Sequence, residues 1–202
     1  MNAYMSDELI GMFKSLAPFD DDELQKALPL FKSDFFRKGD FFSKAGRISD
    51  RVGFVESGLL RSYFDIKGKE TTTFFLQPGS VAAALLSFLR MKPAVENIQA
   101  ITDSELIFIK RNDLFSLYEE NWKWQQVGRV VVETYYVEIE QRSISLQTQS
   151  AHERYLRFIK EFPEVIKTVP LNQIASFLGV SSETLSRIRK KTNQSSVILP
   201  SI

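Results

Sequence analysis

The chain has 202 residues, a formal net charge of +1, one histidine and no cysteine. The lack of cysteine excludes disulfides, thiolate zinc sites, cysteine-ligated iron–sulfur clusters and thiol redox sensing. A single histidine excludes multi-histidine metal centres, and the sequence shows no plausible catalytic nucleophile paired with a general base. We therefore expect no enzymatic activity and no cofactor. An acidic N-terminus and the lack of an apolar run of roughly 18 residues predict a cytoplasmic protein without a membrane segment.

The charge is divided unevenly along the chain. Residues from 152 onward hold eight basic and four acidic side chains, for a net +4, whereas residues 1–151 hold 18 basic and 21 acidic side chains, for −3. A basic C-terminal part on a mildly acidic body favours contact with a polyanion.

The N-terminal half is predicted to be a β-barrel preceded by short helices. Residues 6–31 show helical spacing of apolar side chains and aspartate caps. From residue 35 to 110, short β-type runs alternate with glycines, and a hairpin is expected where residues 59–65 and 70–76 flank the turn Lys67-Gly68-Lys69. Many short strands with few polar core positions predict a jelly roll, and the whole chain is of the α+β class.

A long helix is predicted next, because neither proline nor a turn cluster interrupts residues 113–161 apart from Gly128. A heptad-like seam in it is suited to pairing with a second copy of the chain. The seam consists of Val127, Val130, Thr134, Val137, Gln141 and Ile144. A second stripe, Val132, Tyr136 and Ile139, is expected to lie on the barrel; alternatively, one broad stripe packs only on its own domain.

A bend and a second domain are predicted near Ser150, where Ser150 and Glu153 form a capping box. The expected organisation is a barrel over 1–115, a dimerisation helix over 116–149 and a DNA-binding domain over 150–202.

The segment 171–191 is typical of a helix-turn-helix. Ile174 and Leu178 are expected to bury the first helix, and Gly179 provides the positive φ of the tight turn. Ser181 is a natural N-cap for the second helix, which would read base edges in the major groove. The predicted DNA contacts are Ser181, Ser182, Glu183, Thr184, Ser186, Arg187, Arg189, Lys190 and Lys191.

Two of these side chains suit base recognition. An arginine binds guanine O6 and N7 with two hydrogen bonds, and a glutamate accepts from cytosine N4, so Arg187 and Glu183 form a reading pair. Arg189, Lys190 and Lys191 are expected to contact phosphates. The alternative is a helical hairpin with a basic surface.

With these residues the chain resembles the Crp/Fnr family of cyclic-AMP receptor and fumarate-nitrate regulators. The resemblance rests on residues 38–40, 54–61, Gly68 and 78–79 in the barrel and on residues 182–184 and 187–188 in the helices. It implies promoter binding to double-stranded DNA as a homodimer, an effector held in the barrel and a possible contact with RNA polymerase. The competing hypothesis is a ligand-binding module whose helical tail contacts a protein instead of DNA.

The sequence departs from the family's cyclic-nucleotide site. Counting from Gly79, alanines stand where the family has its ribose-binding glutamate and phosphate-binding arginine, and Arg90 and Lys92 have the wrong spacing to replace the arginine. A buried cyclic phosphate without a guanidinium keeps its desolvation cost, so we expect that cyclic AMP is not the effector. A different, more apolar effector would lie in a pocket formed by Gly79, Ser80, Val81, Ala84, Phe88 and Val95.

The family's C-terminal wing is also expected to be absent or truncated. Residues 197–199 could form one strand, but Pro200 follows them and no return strand is available. The DNA contact would then depend more heavily on the recognition helix.

Overall fold

A computed structural model describes residues 4–196 of the chain. It begins with two short helices, α1 (Asp7–Leu16) and α2 (Asp21–Ala27), followed by a 3₁₀ turn over Leu28–Leu30. Each helix begins at a predicted type of cap: Ser6 accepts from the Leu9 amide, and Asp20 and Glu23 form a reciprocal capping box. The predicted short helices are confirmed.

Eight strands follow and form two four-stranded antiparallel sheets. The strands are β1 (Phe31–Phe36), β2 (Phe41–Ser43), β3 (Arg51–Ser57), β4 (Leu60–Ile66), β5 (Lys69–Leu76), β6 (Val81–Ala82), β7 (Asn97–Ala100) and β8 (Ser104–Lys110). Their order is β1-β8-β3-β6 in one sheet and β2-β7-β4-β5 in the other. Apolar side chains of both sheets meet in one core that includes Val55, Leu60, Ile98 and Leu106. The predicted jelly-roll-like sandwich is therefore confirmed.

The predicted hairpin joins β4 and β5 through two residues. Lys67 and Gly68 both have positive φ, +54° and +82°, which is the backbone of a type I′ turn, and β5 begins already at Lys69. One short helix between β6 and β7, α3 (Leu85–Arg90), was not predicted. Its six residues are too few to show helical periodicity clearly.

The predicted long helix is divided into α4 (Arg111–Glu120) and α5 (Trp122–Thr148). Asn121 separates them because its extended backbone lets its side chain cap α5 by accepting from the Lys123 amide. α4 packs against α5 at Gly128, where an added Cβ would lie 2.2 Å from the Tyr118 hydroxyl oxygen. The glycine thus marks a close helix contact and does not interrupt the helix.

The barrel-facing side of α5 differs from the predicted one. Val132, Tyr136 and Ile139 are exposed, so their expected contact with the barrel is wrong. Val127 lies in the subunit's own core with Trp124. About two turns further along α5, the Tyr135 ring packs against the Phe74 ring, with 5.6 Å between the ring centroids. The inward face of α5 consists of residues spaced three or four positions apart: 124, 127, 131, 135, 138 and 142.

Four helices complete the described chain: α6 (Ala151–Glu161), α7 (Pro163–Thr168), α8 (Leu171–Phe177) and α9 (Ser182–Ser196). The capping box of Ser150 and Glu153 forms as predicted. A cluster around Phe158, Ile174 and Leu185 packs these helices together and onto Leu59 and Phe75 of the barrel. No helix among residues 4–196 is both long and apolar enough to span a bilayer.

Candidate nucleic-acid interface

A tight turn over residues 178–181 joins α8 to α9. Gly179 has a φ of +68°, and the Val180 amide donates to the Ala175 carbonyl oxygen at 3.0 Å. Ala175 is 1% exposed, which allows close packing of the two helices. Leu185, fully buried, anchors α9 from beneath. Ile174 and Leu178 are each 3% exposed, so the burial predicted for the first helix is confirmed.

Ser181 caps α9 as expected. Its Oγ accepts from the Thr184 amide at 3.2 Å, and its carbonyl accepts from the Leu185 amide at 3.0 Å. This start directs one side of the first two turns to solvent. Ser182, Glu183 and Arg187 are exposed there, while Ser186 is half-buried.

The Thr184 hydroxyl takes part in contacts within the helix. It accepts from Ser181 Oγ at 3.1 Å and from Arg187 Nη2 at 3.3 Å. The threonine therefore orients Arg187, whose side chain is otherwise exposed. Sequence reasoning had placed Thr184 only among the direct contacts.

A basic surface continues along α9. Arg189, Lys190 and Lys191 are all exposed. They lie further along the helix than the predicted base-reading residues Glu183 and Arg187, and their predicted role is contact with phosphates. The position expected for a single wing strand, residues 197–199, lies outside the described residues.

Part of the predicted dimer seam is available to a partner. Val127 is buried within the subunit and cannot contribute its side chain, because it belongs to the core shared with α1. Val130 is half-buried, whereas the remaining seam positions are exposed. Those exposed positions are Thr134, Val137, Gln141 and Ile144.

Two alanines occupy the barrel positions where the resemblance predicts the nucleotide-binding glutamate and arginine. Ala84 and Ala94 are 1% and 5% exposed and belong to the apolar core, and Arg90 and Lys92 are exposed to solvent. Nearby, the buried Glu96 carboxylate accepts from the Ser62 hydroxyl at 2.7 Å. Burial raises the pKa of Glu96, and the Ser62 hydrogen bond opposes that rise. A carboxyl group in this place would repel an anion whenever it is ionised.

The predicted effector pocket does not form as one cavity. Gly79, Ser80 and Val81 line a large cleft, but Ala84 and Phe88 are buried among apolar side chains and Val95 is 58% exposed. The sequence spacing could not show that Ala84, Phe88 and Val95 lie outside the lining of the cleft.

The cleft itself lies between the barrel, α5 and the C-terminal helices and has a volume of about 710 Å³. We call it the interdomain cleft; Phe74, Tyr135, Arg142, Arg154 and Phe177 are among its lining residues. Sequence reasoning missed Arg142 and Arg154. Arg142 is a charged residue on the inward face of α5, which the sequence could have signalled. Only the packing of other segments against this face shows what Arg142 contacts.

Known proteins share this architecture. Residues 34–121 match the family model of the cyclic nucleotide-binding domain. The FixK2 structure from Bradyrhizobium japonicum has a TM-score of 0.72 and 19% identity, covering 85% of this chain and 89% of that chain. A structure described as a transcriptional regulator of the Crp/Fnr family from Eubacterium rectale has a TM-score of 0.68 and 15% identity, covering 91% and 88%.

The catabolite activator protein of Thermus thermophilus is also similar, with a TM-score of 0.55 and 21% identity over 95% of this chain and 90% of that chain. No curated protein sequence matches the chain. Residues 34–121 thus form a jelly roll that matches the model of the cyclic nucleotide-binding domain, and helices follow it. The fold of the chain is similar to these three structures, so the predicted resemblance to the Crp/Fnr family is confirmed at the level of the fold.

Proposed function

We propose that this chain is a sequence-specific DNA-binding transcription regulator that acts in the cytoplasm as a homodimer. The observation that carries the proposal is the exposed start of α9. Glu183 and Arg187 face solvent there, and Arg189, Lys190 and Lys191 extend the basic surface. The first pair would contact base edges and the basic group would contact phosphates.

The structural basis for dimerisation is an apolar face on α5 that its own subunit leaves uncovered. Tyr136 is 64% exposed, Ile144 53% and Val137 50%. A second copy of α5 would bury this face, and the two α9 helices would then bind half-sites about one helical turn, roughly 34 Å, apart. Light scattering should give the mass of a dimer, and Tyr136→Asp together with Val137→Asp should shift it toward a monomer.

Cyclic AMP is not expected to be an effector of this regulator. Ala84 and Ala94 occupy the positions where the resemblance places the nucleotide-binding glutamate and arginine, so neither position offers a guanidinium to a cyclic phosphate, and the buried Glu96 carboxyl lies nearby. Titration with cyclic AMP should change neither the thermal midpoint nor the DNA affinity.

DNA binding is tested by selecting duplexes from a random library with the purified chain, then measuring their affinity at increasing salt. Phosphate contacts predict a steep linear fall of log affinity with log salt concentration. If the chain selects no sequence and binds no duplex even at low salt, that result would favour the competing hypothesis, in which the helical tail contacts a protein. RNA polymerase is a proposed partner of the DNA-bound form, testable by its co-retention on the selected duplex.

A further inference from the structure

The walls of the interdomain cleft are mainly aromatic and aliphatic. Phe74 and Leu76 belong to β5 of the barrel, whereas Phe158, Phe162 and Phe177 belong to the C-terminal helices. A volume of about 710 Å³ is within the range of small-molecule sites, which are mostly apolar with a few placed polar groups. The cleft therefore has the size and surface for an organic ligand.

Two arginines, Arg142 and Arg154, are among the polar residues that line this cleft. Arg142 Nη2 donates to the carbonyl oxygens of Thr72 at 3.2 Å and Phe177 at 2.7 Å, and its guanidinium stacks on the Phe177 ring at 4.3 Å. Arg154 donates through Nε to the Leu178 carbonyl oxygen at 2.9 Å and through Nη1 to that of Gln149. Among the described residues, no carboxylate forms an ion pair with either arginine.

The arrangement leaves positive charge unbalanced in a partly buried place. Burial and the like charge of Arg154 lower the pKa of Arg142 to about 10, so the Arg142 guanidinium remains charged at neutral pH. The lining also includes Glu161, whose carboxylate is 3.6 Å from Arg157, and Glu138, whose pKa burial raises. These three arginines outnumber the two glutamates, so the cleft stays positive even with both acids ionised.

Each arginine also keeps unused donors. Among the residues that the structure describes, the acceptors of Arg142 all contact Nη2, so its Nε and Nη1 are left for a ligand, and Arg154 likewise keeps Nη2. Guanidinium groups bind carboxylates and phosphates through such paired N–H donors. An anion would supply the counter-charge that the chain itself does not provide.

We propose that the interdomain cleft binds a small organic anion. Its apolar body would lie against the phenylalanines, and its carboxylate or phosphate would accept hydrogen bonds from Arg142 and Arg154. Both arginines hold the C-terminal end of α8, directly before the turn to α9, so an occupied cleft would alter the position of α9. That last step rests on the proposed DNA function, whereas binding of the anion does not.

The test is a titration of the full chain, without DNA, with three naphthalene compounds. We expect 2-naphthoate or 2-naphthyl phosphate to bind one site per chain, and the tighter of the two identifies the anionic group. The neutral 2-naphthamide should bind roughly tenfold or more weakly, because it forms no charge-assisted bond. Equal affinity for amide and anions, or no binding of either anion, would overturn the proposal.

Variants locate the site. Arg142→Met should weaken the anion roughly tenfold or more. Ala83→Phe keeps every charge but fills the cleft that Ala83 lines, so it should also abolish binding, even if Arg142→Met proves unstable. Arg129→Met is the matched control, since Arg129 is an exposed arginine of the same helix that pairs with Glu133. Binding that survives Ala83→Phe, or that Arg129→Met reduces equally, would place the anion elsewhere.

Discussion

Replacement of Arg187 by alanine is the sharpest perturbation of the proposed reading helix. The side chain is exposed and its one described hydrogen bond, to Thr184 Oγ1, is long at 3.3 Å. The free energy of unfolding should therefore change by no more than roughly 0.5 kcal/mol. A guanidinium that binds guanine with two hydrogen bonds contributes roughly 1–3 kcal/mol of base discrimination. The affinity for the selected duplex should fall about 5- to 150-fold.

The assay is fluorescence anisotropy with the selected duplex and with duplexes in which each guanine of a half-site is replaced in turn. The wild-type chain should distinguish one guanine strongly, and Arg187→Ala should bind that duplex and its substituted form equally. Arg129→Ala is the control, because this arginine is exposed on α5 and pairs with Glu133. Unchanged base preference in Arg187→Ala, with the fold intact, would refute the assignment of the reading helix.

Three further predictions concern phosphate contact, pH and packing. Lys190→Ala should weaken selected and random duplexes about equally and lower the salt slope by roughly one, measured by the same titrations; a loss confined to the selected duplex would contradict a phosphate role. Burial raises the pKa of Glu96 above 4.5, so the wild-type chain should lose stability relative to Glu96→Gln as pH rises above 4.5 through the folded-state pKa. Urea unfolding of both chains across that range measures the difference, and a constant difference would refute it. Gly58→Ala should cost roughly 2 kcal/mol or more, because φ is +87° and the new Cβ would lie 2.4 Å from a backbone oxygen. Gly68→Ala is the control, with similar φ and no atom within 4 Å, and it should cost less in thermal unfolding.

Much of the local structure could be predicted because its causes lie within a few residues. Ser150 and Glu153 cap α6, and Ser181 caps α9, through hydrogen bonds to amides three residues away. Gly68 and Gly179 stand where the backbone needs positive φ. Short β-type runs separated by glycines identified the barrel for the same reason, since a turn and the strands that it joins are neighbours in the chain.

The face that each helix turns inward could be predicted less well. On α5 both candidate stripes share the helical period, so only contact with the barrel chose between them. That contact buried Val127, left Tyr135 half-buried and left Tyr136 exposed. The division of the helix at Asn121 likewise depended on α4 folding back against Gly128.

By itself, then, the sequence determined the barrel, the caps and the two helices whose exposed residues suit DNA, because short-range backbone rules and periodicity specify these. Only the tertiary structure decided the interdomain cleft. Thr72, Arg142, Arg154 and Phe177 come from four different elements, and they meet through packing of the C-terminal helices on the distant strand β5. Charge balance in such a place depends on which side chains the fold brings within a few ångströms, and no local pattern in the sequence carries that information.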